Sequence, residues 1–336
     1  DVFIGSRNVV GTYGVTPTHL FLENQGNGKF VDATERLAYD LKDAGMITDA
    51  KWVDMDGDGK KDLVVTAEWD TTKIYLNNGR RLVKMESSLD DLSGWWLTVE
   101  TADLDGDGDQ DLVLGNHGMN LHYTPLPNHP MKMWVNDFDN NGTIEQIVTM
   151  RNNGKDYPLH QKKELTSQLV SLKKQNLKAS EYARRAIDEL FDAELLKTTI
   201  VKTAENSKSV IAINDGNGQF TIKELPNRVQ LSCICGISCT DVNDDGKLDL
   251  VMAGNNFEFK PQFSRLDSGF GNVLLGDGNL NFDWVDYDSS GFVIRDEVKH
   301  LQIFKDSEGN QFLIAAINNQ KPKIFQLKSS TDKLIN

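Results

Sequence analysis

Four short loops rich in aspartate, each leading directly into an apolar run, limit what this chain can fold into more than any other feature. They span residues 54–62, 103–111, 137–145 and 241–249. All follow the pattern D-x-[DN]-x-[DN]-G-x-x-[DE]. Glycine at position six permits a sharp turn with positive φ. The apolar runs that follow are typical of buried strands, so we expect each loop to connect two β-strands.

The spacing of the oxygen-bearing side chains predicts calcium binding, with about four ions. Ca²⁺ takes about six to eight oxygen ligands in a flexible shell. Carboxylates held this close together repel one another unless a cation neutralises them. We expect side-chain ligands from positions one, three, five and nine and a backbone carbonyl from position seven. The predicted ligands are Asp54, Asp56, Asp58, Lys60 and Asp62; Asp103, Asp105, Asp107, Asp109 and Asp111; Asp137, Asp139, Asn141, Thr143 and Glu145; and Asp241, Asn243, Asp245, Lys247 and Asp249.

Two alternatives compete with this interpretation. An EF-hand needs a bidentate glutamate at position twelve and flanking helices. The twelfth residues here are Val65, Leu114, Val148 and Met252, and strand patterns follow them. The other alternative is a set of surface turns without metal, which four loops with the same ligand spacing disfavour. Two similar segments are expected not to bind: 286–291, which has Ile294 at its ninth position, and 306–310, which is too short.

Hairpin patterns recur between the loops and indicate a repeat architecture. Apolar strands joined by Asn/Gly turns span 19–30, 73–82, 209–220 and 272–282. The first two loops begin at residues 54 and 103, which are 49 residues apart, close to the length of a four-stranded propeller blade. We therefore predict an all-β fold, a single β-propeller over 1–336 with about five blades plus a partial first blade.

One segment, 161–197, departs from the strand pattern. It has almost no Gly or Pro, and Leu165, Leu169 and Leu172 stand at helical spacing. Tyr182, Ala186 and Leu190 repeat that spacing, with Ser180 as an expected N-cap. We predict a helical hairpin inserted within a blade, whose apolar stripes pack on the core.

The first residues of the chain resemble the end of a calcium loop. The run from Asp1 to Gly5 aligns with the strands that follow the loops, such as 111–115. We therefore expect Asp1 to be the last ligand of a further loop. The natural protein is expected to extend upstream, and any export signal would lie there.

Charge and composition exclude several classes of partner. The formal net charge of −14 argues against nucleic acid, which needs an excess of Lys and Arg. No stretch approaches the ~18 apolar residues that span a bilayer.

The three cysteines, Cys233, Cys235 and Cys239, cannot form a complete disulfide framework and are expected to pack as small apolar groups.

The D-x-D-x-D-G-x-x-D-L loops and N-x-G-x-G-x-F hairpins together resemble FG-GAP/VCBS repeats, as in integrin α-subunit propellers and bacterial secreted proteins. The resemblance covers nearly the whole chain except the helical segment. It implies a β-propeller with calcium loops on one face. It also implies an exported or surface-attached, non-enzymatic binding protein.

A ligand site is expected on the face opposite the loops, where conformationally specialised connections carry function. The candidate residues are Trp69, His117, Asn120, Asn255 and Asn256. The alternative is that the asparagines cap backbone turns. The neighbouring pair Trp95-Trp96 is expected to be at least half core, because successive strand residues face opposite sides.

These features favour a calcium-binding extracellular recognition, adhesion or scaffold module whose partner is a glycan or a surface protein. As a scaffold, it would be a subunit of a larger surface complex that docks through the helical segment. The enzymatic alternative is a polysaccharide hydrolase or lyase, for which His117, His122 and His129 are the best support. No HExxH motif, nucleophile elbow or phosphate loop accompanies them.

Overall fold

Short strands dominate the computed structural model of the chain, which describes residues 1–175, 178–258 and 265–327. The first eight are β1 (Val2–Ile4), β2 (Leu20–Asn24), β3 (Phe30–Asp32), β4 (Met46–Val53), β5 (Asp62–Asp70), β6 (Lys73–Asn77), β7 (Leu82–Met85) and β8 (Gly94–Trp95). The next eight are β9 (Thr98–Ala102), β10 (Asp111–Gly115), β11 (Met131–Asn136), β12 (Glu145–Asn152), β13 (Lys155–Pro158), β14 (Ile200–Ala204), β15 (Val210–Asn214) and β16 (Phe220–Glu224). The last are β17 (Gly236–Thr240), β18 (Asp249–Ala253), β19 (Asn272–Gly276), β20 (Phe282–Val285), β21 (Val298–Lys305), β22 (Gln311–Ile317) and β23 (Lys323–Gln326).

These strands form six antiparallel sheets within the described ranges, which we name A to F. Sheet A contains β1–β3, sheet B contains β4–β8, sheet E contains β17–β20 and sheet F contains β21–β23. Sheet C has the order β16-β15-β10-β9, and sheet D has the order β13-β12-β11-β14. The four predicted hairpins are present as β2–β3, β6–β7, β15–β16 and β19–β20. Gly79 and Gly218 adopt φ of 79° and 80° in two of these turns, a conformation that costs glycine little.

Five of the sheets pack face to face in series. Apolar side chains join sheet A to sheet B, sheet B to sheet C, sheet C to sheet E, and sheet E to sheet F. The first strands of neighbouring sheets also lie side by side, with β4 next to β9, β9 next to β17, and β17 next to β21. Polar contacts reinforce the first of these pairs, since Asp49 accepts hydrogen bonds from the Thr98 hydroxyl (2.7 Å) and the Val99 N–H (3.1 Å).

Sheet D stands outside this series because it interrupts sheet C. Strand β10 ends at Gly115, and its partner β15 begins only at Val210. In the ranges that the structure describes, the intervening chain forms sheet D and five helices. Sheet D packs against sheet B around Met46, Trp69 and Met133. The third acidic loop therefore belongs to an inserted sheet, an arrangement that the sequence pattern did not indicate.

The helical segment lies between β13 and β14 and covers sheet D. Its helices are α2 (Lys162–Gln168), α3 (Ser171–Gln175), α4 (Ala179–Tyr182), α5 (Ile187–Leu190) and α6 (Ala193–Lys197), whereas α1 (Thr34–Leu37) and α7 (Tyr287–Ser290) lie elsewhere. The predicted two-helix hairpin is therefore wrong in detail. Ser180 lies inside α4, and new helices begin where Glu164 and Glu189 accept the backbone N–H of residues 161 and 186.

The apolar stripes of that segment pack as predicted. The six stripe residues are buried: Leu165, Leu169, Leu172, Tyr182, Ala186 and Leu190. Most of them contact Phe138 and Ile147 of sheet D. The segment therefore packs on sheet D through several short helices and not through the two longer helices that were predicted. Within the described ranges, no helix has both the length and the apolar content needed to cross a bilayer.

Candidate functional site

Each of the four acidic loops connects the first two strands of a sheet, as the sequence predicts. Loop 54–62 joins β4 to β5, and loop 103–111 joins β9 to β10. Loop 137–145 joins β11 to β12, and loop 241–249 joins β17 to β18. The ninth residue of each loop is also the first residue of the second strand, so the strand fixes the end of the loop.

The carboxylates of these loops converge. In the first two loops, oxygens from positions one, three and five lie within 4.8 Å of one another, in Asp54/Asp56/Asp58 and Asp103/Asp105/Asp107. In the third loop the corresponding group is Asp137, Asp139 and Glu145. In the fourth, Asn243 takes the third position and donates to Asp245 at 3.2 Å. An all-oxygen donor set with several carboxylates fits a hard cation such as Ca²⁺.

Backbone N–H groups curl each loop around its first aspartate. Asp54 accepts from Gly57 (2.9 Å) and Gly59 (2.8 Å). The same pattern recurs at the first residue of the other three loops: Asp103 with Gly106 and Gly108, Asp137 with Asn141 and Gly142, and Asp241 with Asp245 and Gly246. These bonds bring the odd-numbered side chains to one side of the turn.

The seventh residues act mainly through their backbone. Their N–H groups donate to the fifth side chain in every loop, from Lys60 to Asp58, Asp109 to Asp107, Thr143 to Asn141 and Lys247 to Asp245. The side chains vary in chemistry, in keeping with a ligand role for the backbone carbonyl alone. Lys60 additionally pairs its ammonium with Asp58, which places a positive charge beside the cluster.

The ninth carboxylates are buried and have a second role that sequence reasoning missed. Asp62 accepts from Met55 N–H (2.8 Å) with one oxygen and from Asn77 N–H (2.7 Å) with the other. The equivalent bonds join Asp111 to Leu104 and Asn214, and Asp249 to Val242 and Gly276. These three aspartates thus clamp the loop to the third strand of its sheet. The sequence signal for this role was an acidic residue at the start of a strand whose other residues are apolar.

The third loop and the start of the chain vary this clamp. Glu145 accepts from Phe138 N–H (3.0 Å) but directs its other oxygen to the Thr143 hydroxyl (2.9 Å), beside the acidic cluster. The glutamate side chain is longer than that of aspartate, so it reaches both the Phe138 N–H and the Thr143 hydroxyl. Asp1 accepts from Asn24 N–H at 2.8 Å, the same bond to the following hairpin that the ninth aspartates make.

Burial of the clamp makes the ionised form costly. Burial raises the pKa of the Asp111 carboxyl to about 6, and the charges of Asp105 and Asp107 raise it further, while the N–H groups of Asn214 and Leu104 oppose the shift. Burial likewise raises the pKa of Asp62 and of Asp249. A divalent cation in the loop would offset this cost, because it favours the charged carboxylate.

The two segments expected not to bind metal have other local roles. Asp286 caps α7, accepting from the N–H (2.9 Å) and hydroxyl (2.7 Å) of Ser289. Asp306 accepts from the N–H groups of Glu308 and Asn310 in the turn between β21 and β22.

The five candidate ligand residues do not form one exposed surface. Trp69 and His117 are buried, and each makes an edge-to-face contact with Trp95, at centroid distances of 5.1 and 5.6 Å. Trp69 has a φ of 59°, so its ring turns inward at the end of β5. Trp96 is also buried, which confirms core packing for the tryptophan pair. Asn120 is exposed and donates to the Ser268 hydroxyl at 3.2 Å.

Asn255 is fully engaged by the fold, in keeping with the backbone-capping alternative. Its amide nitrogen donates to the carbonyls of Gly269, Arg295 and Asp296, and its oxygen accepts from Gly269 N–H and from the Ser232 hydroxyl. It therefore ties sheet E to the segment that leads into sheet F. Asn256 beside it is half-buried and pairs with Leu266 through backbone bonds.

A charged pair lies beside the buried rings. Arg7 contacts Glu68 at 3.0 Å, and that carboxylate raises the pKa of the guanidinium. Burial and the same carboxylate raise the pKa of Tyr13. The indole N–H of Trp95 is buried and has no hydrogen-bond partner among the described residues. The buried rings of Trp69 and His117 thus have polar neighbours but offer no open surface to a ligand.

The pH dependence of stability should report on His117. Burial lowers the pKa of its imidazole from 6.5 to about 4, and Arg7 adds to this effect while Glu68 opposes it. The unfolded chain therefore binds a proton first as the pH falls, so this group removes stability between pH 6.5 and 4, by roughly 3 kcal/mol in total. Denaturant unfolding of the wild type and His117→Gln over this range, at fixed calcium, measures it. The wild type should lose stability relative to the variant, and parallel curves would contradict the prediction.

Comparison with known proteins gives a family match over part of the chain. A crystal structure of the V. cholerae biofilm matrix protein Bap1 is similar at 11% identity and a TM-score of 0.27, over 80% of this chain and 59% of that one. The chain thus spans less than two thirds of the Bap1 chain. A search of curated proteins finds no match. Residues 54–114, which include the first two loops and β5–β10 up to Leu114, match the FG-GAP-like repeat family.

Proposed function

We propose that this chain is a calcium-stabilised, non-enzymatic recognition module that acts outside the cytoplasm. The observation that carries the proposal is the convergence of the loop carboxylates at equivalent positions in different sheets. In each loop, calcium would be held by the side chains at positions one, three, five and nine and the carbonyl at position seven. Its chemistry there is charge neutralisation and cross-linking of the loop.

The calcium is proposed to be structural. The ninth aspartates already bind the loop to the third strand, and their charges are buried. An ion that neutralises the loop lowers the cost of keeping those carboxylates ionised inside the sheet. The ions would therefore stabilise sheets B, C, D and E at the edge where their first two strands meet.

The sheets are proposed to be propeller blades. Support comes from sheets A, B, C, E and F, which pack face to face in chain order with their first strands side by side. Blades around a common axis share this arrangement. Sheet D and its helices would then be an elaboration of the blade formed by sheet C.

The location is proposed from the expected affinity of the loops. Extracellular calcium modules bind with Kd of roughly 10⁻⁴–10⁻³ M, a concentration available outside cells. The match of residues 54–114 to the FG-GAP-like repeat supports the same assignment. The partner is proposed to be a glycan or a surface protein that meets the face carrying Asn120 and Asn256.

Calcium stoichiometry tests this proposal. Equilibrium dialysis of the wild-type chain should give about four bound ions, one for each loop. Asp107→Ala should remove one ion, because it takes a carboxylate from the second loop without touching the buried clamp. The matched control is Asp288→Ala, an exposed aspartate in the segment expected not to bind, which should leave the stoichiometry unchanged. No binding at millimolar calcium would contradict the proposal.

A further inference from the structure

A row of three aromatic side chains with an arginine at each end borders a narrow cleft between sheets C and E, and Arg228, Phe270 and Tyr287 of this row line the cleft. Arg228 follows β16 of sheet C, whereas Phe270 and Tyr287 flank the outer strands of sheet E. Ser232 and Ser268 also line the cleft. None of these residues belongs to the acidic loops or to the ligand candidates named above.

The guanidinium groups stand over ring faces at both ends of an aromatic row. Arg228 Cζ lies 5.0 Å from the Trp284 centroid, and Arg295 Cζ lies 4.5 Å from the Phe270 centroid. Tyr287 lies between them, 5.2 Å from Trp284 and 5.7 Å from Phe270. The row is therefore continuous from one arginine to the other.

Neither arginine has an ion-pair or hydrogen-bond partner for its guanidinium among the residues that the structure describes. Both are exposed. Their donors are therefore available to a ligand. Each guanidinium offers a planar fork of N–H donors that suits a carboxylate.

The rings are held rigidly and remain partly exposed. The Trp284 indole N–H donates to the Asn272 side-chain oxygen at 3.1 Å, which fixes the ring plane. Tyr287 is the first residue of α7, whose start is capped by Asp286. Trp284, Tyr287 and Phe270 are all half-buried. A rigid ring surface of this kind loses little conformational entropy when a ligand stacks on it.

We propose that this cleft binds an acidic saccharide, a sugar chain that carries carboxylates such as uronic acid residues. The inference rests on the proposed recognition function and supplies its ligand class and its site. The apolar C–H faces of a pyranose stack on aromatic rings, and its carboxylates accept paired hydrogen bonds from the two arginines. Ser268 and its partner Asn120 continue the cleft with hydroxyl and amide groups suited to sugar hydroxyls.

The test uses a β-linked glucuronate oligomer as probe, with its carboxyl-reduced neutral counterpart as the matched ligand. Calorimetric titration of the full chain in fixed calcium should show binding of the acidic oligomer and at least tenfold weaker binding of the neutral one. Arg228→Gln and Arg295→Gln combined should weaken the acidic oligomer at least tenfold. Arg80→Gln, an exposed arginine in the β6–β7 turn, removes a charge elsewhere and should change affinity less than twofold.

Equal affinity for the two oligomers, no binding of either, or wild-type affinity in the double arginine variant would overturn the inference. Because both arginines are exposed, the variants should melt like the wild type, and this is checked first. If the oligomer titration fails while about four calcium ions still bind, only the proposed ligand and cleft are rejected. Failure to bind calcium would reject the proposed function independently of this titration.

Discussion

Removal of calcium with EDTA is expected to lower the melting temperature of this protein by roughly 10 °C. An ion present at ten times its Kd adds about 1.4 kcal/mol of stability for each site. Four loops would together add about 5.6 kcal/mol. For a chain of this size each kcal/mol corresponds to slightly less than about 2 °C.

The structure gives the physical reason for an effect of this size. Without a cation, three carboxylates of the first loop and three of the second lie within 4.8 Å of one another. Behind each group, Asp62 or Asp111 lies at a buried position, where burial raises the pKa of its carboxyl and so makes its charged form costly. Repulsion and desolvation therefore act together on the metal-free loops.

Calorimetric melting in calcium, in magnesium and in EDTA measures this effect. Calcium should restore the higher melting temperature after EDTA treatment. Magnesium should restore it only in part, since Mg²⁺ demands a tighter octahedral shell and gives up its water reluctantly. Equal melting temperatures in calcium and EDTA would contradict a structural role for the ions.

Replacing Asp111 by alanine is expected to cost about 3 to 5 kcal/mol of unfolding free energy even in EDTA. The substitution leaves the N–H groups of Leu104 and Asn214 buried without acceptors. It also removes the side-chain hydrogen bond from β10 to Asn214 of β15, and these two strands are separated along the chain by sheet D and its helices. Loss of the clamp should therefore weaken the junction that holds the insertion in place.

Asp107→Ala is the matched control for this variant. Asp107 belongs to the same loop but is exposed, and among the described residues its carboxylate accepts only from the nearby Asp109 N–H. In EDTA it should change stability by less than about 0.5 kcal/mol. In calcium it should remove about a quarter of the stabilisation. Equal stability of the two variants in EDTA would contradict the clamp role of Asp111.

Local patterns predicted the loops and hairpins because their determinants are local. Glycine at position six, aspartate at alternate positions and an apolar run after position nine fix a loop and the start of a strand within about a dozen residues. The same holds for the Asn/Gly turns. The four loops and the turns of the four hairpins accordingly connect the strands that the sequence indicates.

Features decided by distant contacts could not be predicted. The pairing of Leu112 with Ala212 places sheet D inside sheet C, and no residue near either strand signals it. The helical spacing of Leu165 and Tyr182 predicted two helices, but packing on sheet D divides the segment into five. The buried clamp role of Asp111 likewise depends on Asn214, about a hundred residues away.

The ligand face shows the same limit. Trp69 was assigned to a connection on the ligand face, but it lies within β5 and its buried ring contacts Trp95. The arginine–aromatic cleft draws on Arg228 from sheet C and on Trp284 and Phe270 from sheet E, so no single stretch of sequence reveals it. The cleft can be identified only when the packing of sheets C and E is known.

Anomalous diffraction from crystals grown in calcium would locate the bound ions directly. The calcium assignment predicts four anomalous peaks, one in each of the loops 54–62, 103–111, 137–145 and 241–249. Each peak should lie about 2.3–2.6 Å from carboxylate or amide oxygens of positions one, three and five. Empty loops, or calcium bound only elsewhere on the protein, would contradict it.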